Sequence, residues 1–143
     1  MRLSHVVGCS KSTPAQNAGL SGSFYDWRRN GEGIIVQWLP NGQVLAIFFT
    51  YDLEGNQMWI FGTGPAEGKS VTIDAVYPTT FTTWGRNFDP DDVTLTPWGT
   101  FTLEYTHCDS VTFSYESSVP GYGSAVRYYN RLSRLMGLDC PEF

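Results

Sequence analysis

Two carboxylates, Asp26 and Glu32, bracket the run Trp27-Arg-Arg-Asn-Gly31. Two carboxyl groups facing each other across a turn can divide acid and base duties, so a hydrolase is one reading of the chain. The plainer reading is a turn acid beside a solvated Glu. Asp89, Asp91 and Asp92 place three oxygen donors in the short run Asp89-Pro-Asp-Asp92, which suits weak calcium binding. The run lacks the alternating spacing and distal Glu of an EF-hand loop, so turn capping is favoured.

Other catalytic chemistry finds little material. Of the two histidines, His5 lies in the N-terminal tail, which leaves His107 for any Ser-His-acid triad. His107 continues the alternation of Phe101, Leu103 and Tyr105, which places it on an apolar face as a core or interface residue. No Gly-x-Ser-x-Gly elbow, Cys-x-x-Cys pair, His-Glu-x-x-His or phosphate-binding glycine loop is present. Three scattered cysteines and one usable histidine give no zinc spacing. No catalytic residue, metal or cofactor is therefore expected.

The cysteines say more about compartment than about catalysis. Cys108 ends a strand-like run and Cys140 lies close to the C-terminus. A disulfide between them, favoured over the alternative of two buried thiols, would close a loop of about 30 residues and pin the C-terminal segment to the domain. Such bonds persist in oxidising compartments. The run Val6-Val-Gly-Cys9, followed by Ser10, looks like the end of a lipoprotein signal, with lipidation at Cys9 and a polar tether after it. The alternative is a free Cys in a flexible tail. Residues 1–18 are read as that tail and residues 19–143 as a single domain.

Binding chemistry rests on the aromatics, which make up 15% of the chain. Trp27 falls in the first turn, Trp84 and Trp98 bound a long loop, and Tyr122 sits on the turn Pro120-Gly-Tyr-Gly123. Rings of this kind stack on sugars or apolar ligands, or anchor a protein interface. The alternative is that they plug the ends of the domain. The formal net charge of −5 argues against nucleic acid, which needs clustered Lys and Arg. Arg127, Arg131 and Arg134 do cluster, either as a local anion patch or as charges guarding a solvated strand edge. No apolar stretch is long enough for a membrane-spanning helix, so membrane contact is expected only through Cys9.

What positions these residues is a ladder of short strands. In Thr100–His107 aromatic and aliphatic residues alternate with Thr and Glu, the period of a half-buried strand. Similar runs occupy Gly19–Asp26, Ile34–Leu39, Gln43–Tyr51, Gln57–Phe61, Ser70–Tyr77, Ser110–Glu116 and Ser124–Arg131. Pro40-Asn-Gly42 and Asp52-Leu-Glu-Gly-Asn56 are hairpin signals. Between Pro78 and Pro97 the pattern lapses into a loop rich in Thr, Asp and Pro. Eight strands joined mainly by hairpins predict an all-β, antiparallel up-and-down barrel, with a curved β-sandwich as the alternative. The run Gln43–Tyr51 is apolar on both faces, so its outer face is expected to be covered.

The motifs Gly22-Ser-Phe-Tyr-Asp26, Gly31-Glu-Gly33, Phe49-Thr-Tyr-Asp52, Gly55-Asn-Gln-Met-Trp59 and Gly137-Leu-Asp-Cys140 resemble an uncharacterised exported domain common in proteobacteria. That resemblance implies an envelope or secreted location and no activity. Gly19-Leu-Ser-Gly-Ser-Phe-Tyr-Asp26 is also similar to the first strand of avidin-type barrels, where Tyr25 and Asp26 would match polar ligand contacts. The Trp-rich later strands of that family do not align. The sequence thus predicts a non-catalytic binding module of the bacterial envelope that takes a protein partner through its loop aromatics. A lipocalin- or avidin-like cup for a small apolar or sugar ligand is the first alternative, and a hydrolase using Asp26 and Glu32 the second.

Overall fold

The structure, a computed structural model, describes residues 17–143; the readings placed on His5 and Cys9 lie outside the described residues. The strands are β1 (Gly22–Tyr25), β2 (Gly33–Trp38), β3 (Gln43–Tyr51), β4 (Gln57–Glu67), β5 (Ser70–Thr80), β6 (Thr94–His107), β7 (Ser110–Ser117) and β8 (Ser124–Arg134). Each pairs antiparallel with the next, and β8 returns to β1 through Phe24 opposite Arg131 and Tyr25 opposite Asn130. The result is a closed eight-stranded up-and-down barrel, in which every strand has two neighbours.

Alternation decides what fills it. Phe24, Ile34, Val36, Val44, Ala46, Phe48, Ile60, Ile73, Phe101, Leu103, Phe113 and Tyr129 point inward and are buried. Phe48 meets Phe101 and Phe113 edge-on, with ring centroids 5.9 and 4.9 Å away. Tyr129 stacks on Phe113 at 5.7 Å. Side chains therefore occupy the space that a larger barrel would leave for a ligand. On β4 two inward positions are glycines. A Cβ on Gly62 or Gly64 would collide with the backbone carbonyls of Asp74 and Thr72, so these glycines let β5 fold closely across β4.

One end of the barrel is sealed by the chain's own flanks. The 3-10 turn Ala18–Leu20 inserts Leu20, wholly buried, beneath Tyr105, whose hydroxyl donates to the Leu20 carbonyl at 2.9 Å. Asn17 donates to the Gly68 carbonyl at 3.1 Å. The Cys108–Cys140 disulfide fastens the C-terminal segment to the same end. Arg131 reaches beneath it, donating to the carbonyls of Gly19 (2.9 Å), Ser21 (2.9 Å) and Cys108 (2.6 Å).

Three expectations need correcting. A closed barrel has no solvated edge for Arg127, Arg131 and Arg134 to guard: Arg127 lies at the far end, Arg131 is 5% exposed, and Arg134 pairs with Asp109. His107 does not continue the apolar face. A register shift between Tyr105 and His107 turns it outward, where it stacks on Phe143 at 5.8 Å. The irregular segment between Pro78 and Pro97 is shorter than expected, because both prolines are taken into the β5–β6 pairing near register shifts. There Thr79 and Thr96 share a 2.8 Å hydrogen bond, and the Thr80 hydroxyl accepts from the Thr94 amide at 2.8 Å.

The outer face of β3, expected to be covered, stays partly open: Phe49 is 42% exposed and Tyr51 46%, and what shielding there is comes from neighbours on the wall. Ile47 lies between Ile35 and Phe61 in the paired register, and Phe49 lies opposite Trp59. Trp59 stacks on Phe61 at 4.9 Å, and Phe61 is buried although it points outward.

Candidate functional site

A meander sends alternate connections to opposite ends. The β1–β2, β3–β4, β5–β6 and β7–β8 connections all fall at the end away from the disulfide. Trp27, Leu53, Trp84 and Tyr122, one in each connection, are thereby gathered on a single rim from positions spread over most of the chain. Trp84 is 97% exposed and Trp27 72%, with Phe81 and Phe88 on the β5–β6 connection also exposed. Isolated exposed rings are ordinary; several of them from separate connections, gathered on one end, make the rim the candidate site.

Local chemistry shapes each rim loop. Asp26 caps the 3-10 turn Trp27–Arg29 by accepting from the Arg28 amide at 3.0 Å, and its carboxylate also takes the Arg28 guanidinium. These hydrogen bonds hold its carboxyl below the usual carboxylate range. Asp52 closes the β3–β4 turn by accepting from the amides of Glu54 (3.0 Å) and Asn56 (2.8 Å). The β7–β8 turn leans on it, so that a Cβ on Gly121 would come within 2.6 Å of Leu53 Cδ1. In the β5–β6 connection Asp89 caps the turn Pro90–Asp92, while Asp92 accepts from the hydroxyls of Thr80 and Thr82. Among the described residues no group of three or more potential ligands forms a metal site.

Below the rim lies a polar cluster whose full extent the sequence did not announce. Glu32 is only 12% exposed. Its carboxylate accepts from Arg29 Nε at 3.0 Å, Thr50 Oγ1 at 2.7 Å and the Tyr129 hydroxyl at 3.4 Å. Arg127 Nε stands 3.8 Å away and finds no hydrogen-bond partner among the described residues. Burial pushes the Glu32 carboxyl upward, but the hydrogen bonds from Arg29 and Thr50 and the charges of Arg29 and Arg127 outweigh it. The net shift is downward. Burial and the neighbouring Glu32 charge push the Tyr129 phenol upward, which keeps it a neutral donor.

The predicted site residues thus divide. Trp27, Trp84 and Tyr122 share the rim, and Asp26 shapes its first loop. Trp98 does not reach the surface: it is 1% exposed and packs 5.6 Å from Tyr122 and 5.5 Å from Tyr115, a plug beneath the rim rather than a ligand contact. Tyr25 faces away from the interior, where it helps line a shallow depression with Ile35, Phe49 and Leu132. Asp26 and Glu32 each have their own arginine and both carboxyls are shifted downward, whereas a general acid needs a raised value.

Two further depressions adjoin at the rim, each of about 280 Å³. The first is lined by Asp52, Glu54, Trp59, Tyr77, Phe81 and Tyr122. The second is lined by Gly31, Phe49, Thr50 and Tyr51, and the two share Gln57, Met58 and Trp59. Both open to solvent beside the filled interior. Sequence reasoning missed Trp59, Tyr77 and Phe81. Read in isolation, their strands gave no sign that these three rings meet.

No family model matches this chain. Neither a curated protein nor a solved structure matches it. The functional reading therefore rests on the rim itself.

Proposed function

We propose that this barrel is a non-catalytic binding module of the bacterial envelope, and that it takes a protein partner on its open rim. The observation that carries the reading is the contrast between a barrel packed solid with side chains and a rim bearing exposed rings from several connections. A small-ligand cup would need an enclosed cavity at the barrel centre, where Phe48, Phe101, Phe113 and Tyr129 now sit. Exposed Trp and aromatic side chains on a rigid scaffold suit a protein interface, because they bury much area at little cost in side-chain freedom. The Cys108–Cys140 disulfide supports placing the domain in an oxidising compartment, in keeping with the likeness to exported domains.

Photo-crosslinking in an expressing bacterium tests the reading. A benzophenone amino acid placed at Trp84 should give one discrete heterologous adduct, whereas the same probe at Thr72 on the barrel wall should give none. Equal adduct patterns from rim and wall would overturn it.

A further inference from the structure

The depression between the β3–β4 turn and the β5–β6 connection combines two features that point to one kind of occupant. Its walls are rings: Trp59 (46% exposed), Phe81 (74% exposed), Tyr77 and Tyr122. Its acidic side is Asp52 and Glu54. Among the described residues neither carboxylate has a cationic partner. The neighbouring rim arginines are already committed, Arg28 to Asp26, and Arg29 and Arg127 to Glu32. The remaining rim cation, Arg86, sits on the β5–β6 connection beyond Phe81 and forms none of the ion pairs seen. Asp52 is locked as a turn acceptor and its carboxyl is held down by the Asn56 amide and side chain, so it stays charged.

We propose that this depression receives an arginine side chain presented by the protein partner. A guanidinium is flat, stacks on Trp and Tyr faces, and donates in a fork to carboxylate. A volume of about 280 Å³ suits a single long side chain rather than a larger organic ligand. Negative charge beside electron-rich ring faces favours a cation over an apolar side chain of similar size. Trp59 and Phe81 supply the stacking faces, and Glu54, without an ion-pair partner among the described residues, supplies the acceptor that Asp52, held by its turn, does not. This assignment rests on the rim being a protein-binding surface.

N-acetyl-arginine N-methylamide, titrated into isotope-labelled protein, tests the depression without needing the partner. The expected result is a saturable shift of the Trp59 indole N–H signal and of the Glu54 and Asn56 amides. The citrulline analogue, equal in shape but uncharged, should shift them far less. Glu54→Gln and Phe81→Ala, both at exposed positions, should each weaken the arginine probe by about two- to fivefold while leaving the melting temperature unchanged. Equal responses to arginine and citrulline, or none at Trp59, would overturn the assignment. Loss of the probe effect with the Trp84 adduct intact would remove the arginine pocket and leave the protein-binding rim standing. A probe effect without any rim adduct would remove the partner, and with it the assignment of the arginine to that partner.

Discussion

The guanidinium of Arg131 lies 2.7 Å from the carboxylate of Asp109 and 4.7 Å from the centre of the Phe24 ring. The two partners are unequal in surroundings. Arg131 is 5% exposed and also serves the backbone carbonyls of Gly19, Ser21, Cys108 and Ser133, whereas Asp109 is 46% exposed and shares itself with Arg134. Removing the arginine leaves those half-buried carbonyls without their shared donor, so Arg131→Met should cost about 2–4 kcal/mol in urea unfolding. Asp109→Asn leaves Arg131 its carbonyl partners and should cost clearly less. Equal losses would mean that the ion pair, and not the carbonyl clamp, holds the sealed end.

Glu32 should give the barrel a pH dependence of known sign. Its carboxyl titrates below its value in the unfolded chain, near 4.5. Its contribution is therefore fully present above that value and is lost as pH falls through the lower folded value. Unfolding free energy measured from pH 7 down to pH 3 should fall less steeply for Glu32→Gln than for the wild type. At neutral pH the substitution should cost about 1–3 kcal/mol, because Arg29 and Arg127 lose the carboxylate charge and one of the oxygens that serve Arg29, Thr50 and Tyr129 becomes a donor.

The disulfide joins residues 32 positions apart, which the chain-entropy account values at roughly 3–4 kcal/mol. Cys140→Ala should therefore lower the melting temperature by on the order of 10 °C under oxidising conditions. Reductant should lower the wild type to about the same temperature and leave the variant unmoved. A variant that melts with the oxidised wild type would show that the C-terminal segment is held by packing alone.

Tryptophans at the same end should behave in opposite ways. Trp84→Ala and Trp27→Ala remove exposed rings and should change stability by less than about 0.5 kcal/mol while abolishing partner capture. Trp98→Ala empties the core beneath the rim and should cost about 3–5 kcal/mol. Calorimetry on the three variants, beside photo-crosslinking from a benzophenone at Leu53 on the same rim, separates contact residues from plugs.

The barrel was legible because its signals are local. Alternation through Phe101, Leu103 and Tyr105, and hairpin residues such as Pro40-Asn-Gly42, act within a few positions of themselves. The errors arose where pairing overrode local signals. Pro78 and Pro97 read as strand breakers, yet register shifts in β5–β6 absorb them. His107 followed the alternation until a shift past Tyr105 reversed its face. The Glu32 cluster depends on Tyr129, 97 positions away, which one strand's pattern cannot reveal. Trp84 and Trp98 both flank the same loop in sequence, but Trp98 lies inside β6 at the register shift against β5 and is buried, whereas Trp84 stays in the connection and is exposed.

An even number of strands in a meander also fixes where the two ends of the domain emerge. Asn17 and the segment after Arg134 both leave from the sealed end, opposite the aromatic rim. A tether, label or fused protein joined at either terminus would thus hold the module by its base and leave the rim facing outward. Immobilisation through either end should give equivalent orientations on a sensor surface, with the aromatic rim unobstructed.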